Sequence, residues 1–334
     1  MYASAGRQAD RHLVIVHRAG WQAVKDWHAI AANVGRIDPG IAIFVVSADA
    51  PDPATAHYAA SRPTLVFSAG PLGQFAPARG KVYHGRPIAK IEQLRLLAAA
   101  GVRVPRTMLL RPDSKLDPAL LGEFVIVKPT DIATSSHGLG ITLMRTARVR
   151  YVAPNDYPEG HPGRLGPMMV QQFVDTGEHI RAYRVLTLFG QPLYSQLSRS
   201  TDARVTLSAD DAALESGKIA MQAVSADGKE KTWVYEADVI ALAAAAYRAI
   251  PEAPLQGATS FATPRQARSM CWNSIPAAIP GTSHRTIWPK AGPGTARISN
   301  RRGARSWTPS APPRRYWRSE RGGKPSSAWL WRWR

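Results

Sequence analysis

The chain has 334 residues, 45% of them apolar, which is sufficient for two or three domains with hydrophobic cores. A single cysteine, Cys271, excludes a disulfide framework and a cysteine-based metal site, and no run approaches the roughly 18 apolar residues of a membrane span, so we expect a cytoplasmic protein without a membrane partner. The net charge of +19 would favour a nucleic-acid partner, but 14 of these charges lie after residue 257, which excludes that inference for the preceding residues.

Residues 1–85 alternate short apolar strands with a helix. The β-branched runs at 12–18, 41–49 and 64–70 predict strands. Between the first two, the spacing of Trp21, Val24, Trp27 and Ile30 predicts an amphipathic helix. This alternation favours a small parallel α/β domain. No glycine-rich fingerprint follows its first strand, so we assign this domain no cofactor.

Residues 86–145 contain a helix, a buried strand and a glycine-bearing loop. Ile91, Leu94 and Leu97 mark one helical face, and Gly101 ends the helix. The apolar run "FVIVKP" predicts a buried strand that ends near Lys128. The loop "IATSSHGLG" then leads into a further strand, whereas a Walker loop opens a helix.

A proline-rich loop over 145–167 precedes three strand-like runs, two of them joined by a turn at "FGQP". Residues 201–236 show little pattern, and "EADVIALAAAAYRAI" predicts a strong helix. A strand begins after this helix, and the pattern stops at Gly257.

Taken in order, these motifs resemble those of the ATP-grasp superfamily, and most closely its carboxylate-amine ligases. The resemblance rests on a lysine that opens a helix ending in "AAGVRVPRT", on "FVIVKP" followed by "SSHGLGI", and on "VQQFVDTGEHIRAYRV" followed by "QLSR". It implies an α/β (α+β) chain with a small N-terminal parallel α/β domain (1–85) and an ATP-grasp domain of two α+β subdomains (86–257), incomplete at its C-terminus. Residues 258–334 would form a disordered basic tail rich in Trp, Arg and Pro.

The resemblance also implies an ATP site. A triphosphate carries about four negative charges, so the site needs fixed cations and free backbone amides. Lys90 and Lys128 would contact the α- and β-phosphates, Arg184 would face the phosphates, and Glu178 would accept the ribose hydroxyls. Arg181 and Arg199 would be the catalytic arginines near the acyl phosphate. The loop over the triphosphate would comprise Ser135, Ser136, His137, Gly138 and Gly140, and the backbone of Gln171, Gln172, Phe173 and Val174 would bind adenine.

Simpler interpretations remain open for several of these residues. Lys90 could be a solvated residue at a helix start, and Lys128 could extend from a strand end to solvent. His137 fits an ordinary loop residue better than a catalytic base. At least one of Arg181 and Arg184 is expected to pair with a carboxylate and to serve the structure alone.

The magnesium ligands of the family are missing from this chain. The family takes them from an Asp on the strand after the last helix and from a later "E-x-N" segment. In this chain no Asp follows Gly257, and the only Glu after Gly257 is Glu320. Codons for "SMCWNSIPAA", read from the last base of each codon, can spell DVLEFNPGG, and codons for "GATSFATPRQ" can spell CDILRDAATG. We therefore predict a single-base deletion near the Gly257 codon, which shifts the reading frame of the tail.

The resemblance implies ATP-dependent ligation of a carboxylate to an amine through an acyl phosphate. The partners would be ATP, Mg²⁺ and an unidentified small-molecule or peptide carboxylate. Without the metal ligands, we expect the chain as written to bind ATP weakly and to be inactive as a ligase. The alternative is a non-catalytic ATP-grasp scaffold whose Arg- and Trp-rich tail binds nucleic acid or an acidic membrane. The absence of periodic design in the tail argues against a nucleic-acid partner.

Overall fold

The computed structural model describes residues 9–19, 23–130, 140–216, 229–263, 266–276, 296–298 and 305–307. Within these ranges the chain forms one parallel sheet, two larger antiparallel sheets and a short strand pair, with helices between and beside them. The predicted mixed α/β fold, with a parallel α/β unit followed by α+β units, is confirmed.

The parallel sheet is built from the apolar runs near the N-terminus. Its strands lie in the order β2-β1-β3-β4, and β1 is buried along its centre, as a strand covered on both faces requires. Asp52 caps α2 by accepting hydrogen bonds from the amides of Ala54 and Thr55. The elements are β1 (Arg11–His17), α1 (Val24–Ile37), β2 (Ile41–Ser47), α2 (Pro53–Ala59), β3 (Thr64–Ser68) and β4 (Lys81–His84).

An antiparallel sheet of four strands, which we call the small sheet, follows helix α3 (Lys90–Ala99). Its order is β5-β8-β6-β7, with Lys128 of β6 opposite Met169 of β8. One face buries Val125, Val127 and Val170 in a core of their own. The elements are β5 (Thr107–Leu109), α4 (Pro118–Leu121), β6 (Phe124–Pro129), β7 (Thr142–Arg145) and β8 (Met168–Gln172).

A second antiparallel sheet, the large sheet, has the order β11-β10-β9-β12-β13. One face packs Val185 and Ala258 against Val239 and Ala243 of helix α6. The elements are β9 (Arg181–Leu188), β10 (Gln191–Ser200), α5 (Asp211–Ser216), β11 (Lys229–Trp233), α6 (Ala237–Ala249), β12 (Leu255–Thr263) and β13 (Gln266–Pro276). The opposite face places Leu186 and Leu255 in the same core as the parallel sheet.

The turn predicted at "FGQP" joins β9 to β10 through Phe189 and Gly190. Both residues have positive φ, +49° and +78°, as a tight two-residue hairpin turn requires. The Phe189 ring packs edge-on against Tyr83, with ring centroids 4.9 Å apart. The turn therefore connects the large sheet to the edge of the parallel sheet.

Strand structure continues past Gly257, so the expectation of a disordered tail from residue 258 is wrong for part of the tail. Strand β12 continues to Thr263, and Ala258 to Phe261 are buried. The reason is that β9 has an edge to pair, and β12 pairs with it from Leu255 to Ser260. Two short strands, β14 (Ala296–Ile298) and β15 (Arg305–Trp307), also pair with each other. Tail residues 277–295, 299–304 and 308–334 lie outside the described residues.

Candidate functional site

A pocket opens at the boundary between the small sheet and the large sheet. It is a shallow, partly open cleft, and the space of about 360 Å³ within it includes open solvent. Its lining is predominantly apolar and includes the whole predicted adenine segment at the end of β8. The lining residues are Pro105, Ile126, Gln171, Gln172, Phe173, Val174, Thr176, Ile180 and Phe261. Such a cleft suits the flat, largely apolar faces of a nucleobase.

Two amides of the predicted adenine segment are already engaged in the sheet. The Gln172 amide donates to the Arg106 carbonyl at 2.8 Å, and the Phe173 amide donates to the Phe124 carbonyl at 3.1 Å. Backbone recognition of a base by this segment would therefore use other groups. Carbonyl oxygens and the Val174 amide are the candidates that these two bonds leave.

Lys128 is a buried cation beside the pocket. Only 1% of its surface is exposed, and its ammonium donates to the Gln171 side-chain oxygen at 2.8 Å. Burial lowers the pKa of Lys128 well below its usual value, and the nearby charge of Lys90 lowers this pKa further. The structure therefore excludes the interpretation of Lys128 as a solvent-exposed lysine at a strand end.

Lys90 opens helix α3 and is also buried, with 8% of its surface exposed. Its amide donates to the Thr130 carbonyl at 3.1 Å, which ties the start of α3 to the end of β6. The helix N-terminus adds partial positive charge at the same place. Two lysines and a helix start thus concentrate positive charge next to the pocket, where an anion would stabilise them.

The predicted phosphate loop lies mostly outside the described residues. Ser135, Ser136, His137 and Gly138 belong to the undescribed stretch 131–139. Gly140, at its end, has φ of +66°, and a Cβ at this position would overlap the ring of Pro162. Gly140 is therefore a backbone requirement of this loop end, whatever the loop binds.

Glu178, the predicted ribose contact, is exposed on a loop that Arg204 stabilises. The Arg204 guanidinium bonds to Asp175 at 3.0 Å and to the Gly177 carbonyl at 3.1 Å, and its amide donates to the Glu178 carbonyl. Arg204 also lies 5.7 Å from the centroid of the Phe173 ring. This arginine positions the loop next to the adenine segment, and the sequence analysis did not identify it.

The three arginines of the predicted site do not share one face of the large sheet. Arg181 and Arg199 are directly opposite each other on β9 and β10. Arg184 is three positions from Arg181 on a regular strand, so it projects to the opposite face. That face is the one that carries Leu186. The odd spacing within "RAYR" was the signal from which this separation could have been predicted.

Arg184 lies over Gly257 and against Thr259 of β12. Its guanidinium is 3.4 Å from the Thr259 hydroxyl, and a Cβ at position 257 would overlap it. Burial lowers the pKa of Arg184, while the Tyr194 side chain acts in the opposite direction. Arg184 therefore lies on the face of the large sheet that also carries Phe261, one of the residues that line the pocket.

Among the described residues, no group of three or more His, Cys, Asp or Glu side chains could hold a metal ion. Magnesium prefers carboxylate and amide oxygens. The residues on β12 near Arg184 are Thr259 and Ser260, which carry hydroxyl groups.

The solved structures to which this chain is similar include the following three proteins. D-alanine–D-alanine ligase from Bacillus anthracis has 11% identity and a TM-score of 0.45, over 79% of this chain and 86% of that chain. D-cycloserine synthetase DcsG has 15% identity and a TM-score of 0.46, over 80% and 96%. The ATP-grasp ligase PsnB with its minimal precursor has 17% identity and a TM-score of 0.43, over 80% and 90%.

Of these three proteins, PsnB is described as an ATP-grasp ligase. At these identities and TM-scores the likeness says nothing of activity or of individual residues. A scan against protein-family models and a search of curated proteins found no match. No helix among the described residues is long and apolar enough to cross a membrane. The functional argument therefore rests on the side chains around the pocket.

Proposed function

We propose that this chain is an ATP-grasp protein that binds ATP between the small sheet and the large sheet. Adenine would occupy the apolar pocket at Gln171–Val174, and the triphosphate would extend toward Lys128 and Lys90. The single observation that carries this proposal is the adjacency of an apolar pocket and a buried lysine, joined by the Gln171 side chain.

The charges near the pocket support a binding mode in which the phosphates of ATP lie next to Lys128 and Lys90. Lys128 carries the cost of desolvation and of repulsion from Lys90. Phosphate oxygens would offset both, because an anion stabilises buried cations. Glu178 lies on the loop after the adenine segment, within the chain order expected for a ribose contact. Arg184 remains a candidate phosphate ligand, whereas Arg181 and Arg199 would need to act from the other face of the large sheet.

Photolabelling with 8-azido-ATP tests the position of the base. The label should appear on peptides that line the pocket, such as those containing Phe173, Ile126 or Phe261, and excess ATP should compete with it. Lys128→Met should reduce labelling, whereas Lys81→Met, in β4 of the parallel sheet, should leave it unchanged. Labelling confined to the parallel sheet, or labelling that ATP does not compete with, would contradict the proposal.

We further propose that the family reaction, ligation of a carboxylate to an amine through an acyl phosphate, is impaired here by a reading-frame shift. If one base is restored after the Gly257 codon, the hidden "CDILRD" puts its first Asp at position 259. The hidden "DVLEFN" then puts Glu at position 273 and Asn at position 275.

The strand register supports this second proposal. Gly257 pairs with Ile275 and Ala258 with Ser274, and the register then shifts between Ala258 and Ser260. Thr259 pairs with Arg184 of β9, so an Asp at position 259 would lie beside a guanidinium that an acidic residue would stabilise. Glu and Asn at positions 273 and 275 would lie on β13, the neighbouring strand.

Resequencing the gene across codons 250 to 275 tests this directly, followed by expression of the gene with the base restored. The frame-restored protein should release ADP from ATP in a Mg²⁺-dependent way with a suitable carboxylate, and the 334-residue chain should not. The triple variant Thr259→Asp, Asn273→Glu, Ile275→Asn should recover Mg²⁺ binding in part. Mg²⁺-dependent ADP release by the unaltered chain would overturn the proposal.

A further inference from the structure

A directional hydrogen-bond chain runs across the small sheet from Lys128 to the pocket rim. The Lys128 ammonium donates to Gln171 Oε1 at 2.8 Å, and Gln171 Nε2 donates to the Thr107 hydroxyl at 3.0 Å. The Thr107 hydroxyl donates to the Pro105 carbonyl at 2.9 Å. We call this series of hydrogen bonds the Thr107–Gln171 relay. It begins at the buried cation and ends at a residue that lines the pocket.

Each link fixes the orientation of the next. An ammonium can only donate, so it needs the oxygen end of the Gln171 amide. The nitrogen end must then find an acceptor, and Thr107 provides it because β5 and β8 pair with Thr107 opposite Gln171. The Thr107 hydroxyl in turn donates to a carbonyl, so every donor in the relay meets an acceptor. Gln171 is 2% exposed, which makes each of these bonds costly to lose.

The chemistry of position 171 matters as much as its geometry. A carboxylate here would hold Lys128 equally well, but it would also neutralise the ammonium. An amide accepts the hydrogen bond and adds no negative charge of its own. Lys90 on α3 is the charged group shown to act on Lys128 among the described residues, and it has the same sign.

We propose that the Gln171 side chain, oriented by Thr107, is a positioning residue that holds the Lys128 ammonium for the ATP phosphates without neutralising its charge. This inference rests on the proposed ATP site. It concerns the Gln171 side chain, a role separate from backbone contact with adenine.

Three variants of the full-length chain test the relay through ATP affinity measured against pH by titration calorimetry. Gln171→Leu removes the acceptor, so ATP affinity should fall about tenfold or more. The pH at which ATP binding is lost as the solution becomes basic should be lower than in wild type. Gln171→Glu keeps the acceptor but adds a negative charge, so ATP affinity should also fall. The pH at which ATP binding is lost should be higher than in wild type. Thr107→Val should lie between wild type and Gln171→Leu.

Matched controls separate this role from simple support of the fold. Gln256→Leu removes another buried glutamine, which bonds to the Ile250 carbonyl at 2.6 Å, and Thr146→Val removes a threonine that bonds to the Gly122 carbonyl. Both controls should lower stability and leave the pH profile of ATP binding unshifted. If the two Gln171 variants shift the profile in the same direction, or leave it unchanged, the relay has no positioning role.

A second readout requires no ATP. Carbon NMR of the Lys128 side chain, assigned with Lys128→Met, follows its titration directly. Gln171→Glu should raise the Lys128 pKa and Gln171→Leu should lower it. If these shifts occur but the wild-type chain binds no ATP, the relay stands and the proposed function fails. If ATP binds but neither variant moves the Lys128 titration, the relay fails and the proposed function stands.

Discussion

At the scale of single residues, the burial of Lys128 opposes folding. Its ammonium is buried beside the like charge of Lys90, and both effects lower its pKa. Burial of a charge in this way costs free energy in the empty protein. A triphosphate would reverse that cost, so the same residue links stability to binding.

Lys128→Met should therefore change the pH dependence of stability and abolish ATP binding. In wild type, the folded chain binds fewer protons than the unfolded chain between the lowered pKa of Lys128 and about 10.4, so the free energy of unfolding rises with pH in that window. The variant should lose this rise, because position 128 no longer titrates. Urea unfolding from pH 6 to 10 measures the effect, and a variant that keeps the same rise would contradict this expectation.

The side-chain partnership at this site could not be predicted from sequence. Lys128 and Gln171 are 43 positions apart, and their contact depends on the antiparallel register that places Ile126 opposite Gln171. The sequence did identify both residues, but only through the resemblance of their motifs. The role of Arg204 was missed because "DARV" lies in a stretch without strand or helix periodicity.

At the scale of elements, the long apolar strands and helices were predictable and the short or pairing-dependent strands were not. β1, β2, β3 and β6 are apolar runs buried on both faces, which sequence patterns reveal well. β4 is four residues with exposed ends, so its pattern is weak. The end of β12, "ATSFAT", has no clear alternation, and its place depends on the edge of β9.

The turn between β9 and β10 gives a prediction about element stability. Gly190→Ala should destabilise the chain by about 2 kcal/mol or more, because φ is +78° and the new Cβ would overlap the Tyr247 ring. Gly101→Ala, at φ +75° with open space around it, should cost about 1 kcal/mol from backbone strain alone. Gly166→Ala, with ordinary φ and open space, is the neutral control.

Urea denaturation ranks these three glycine variants by midpoint. The expected order of stability is Gly166→Ala, then Gly101→Ala, then Gly190→Ala. Equal midpoints for Gly101→Ala and Gly190→Ala would show that the Tyr247 ring does not obstruct a Cβ at position 190.

At the scale of the whole molecule, the parallel sheet and the large sheet share one core, and two helices pack against each other in another. Leu186 and Leu255 of the large sheet pack with Leu13 and Ile15 of the parallel sheet, and α3 packs with α6 through Leu97 and Ala246. The pocket lies where the small sheet meets the large sheet. A ligand there contacts two units at once, so binding should also stabilise their relative position.

Composition predicted a break at residue 257, and the backbone carries structure past it. A change in composition reports which side chains are available, whereas an open strand edge offers hydrogen bonds to any extended segment. The two observations are compatible with a frame-shifted tail whose first residues still complete the large sheet. Under the proposed frame shift, such a tail would lack the oxygen ligands, because those depend on side-chain identity at positions 259, 273 and 275.

The most direct test of the account is a calorimetric titration of ATP into the full-length chain, with and without Mg²⁺, and into Lys128→Met. The account predicts weak, saturable ATP binding that Mg²⁺ does not strengthen and that Lys128→Met abolishes. Equal ATP binding by wild type and Lys128→Met would contradict the assignment of the site. ATP binding that tightens sharply with Mg²⁺ would contradict the proposed loss of the metal ligands.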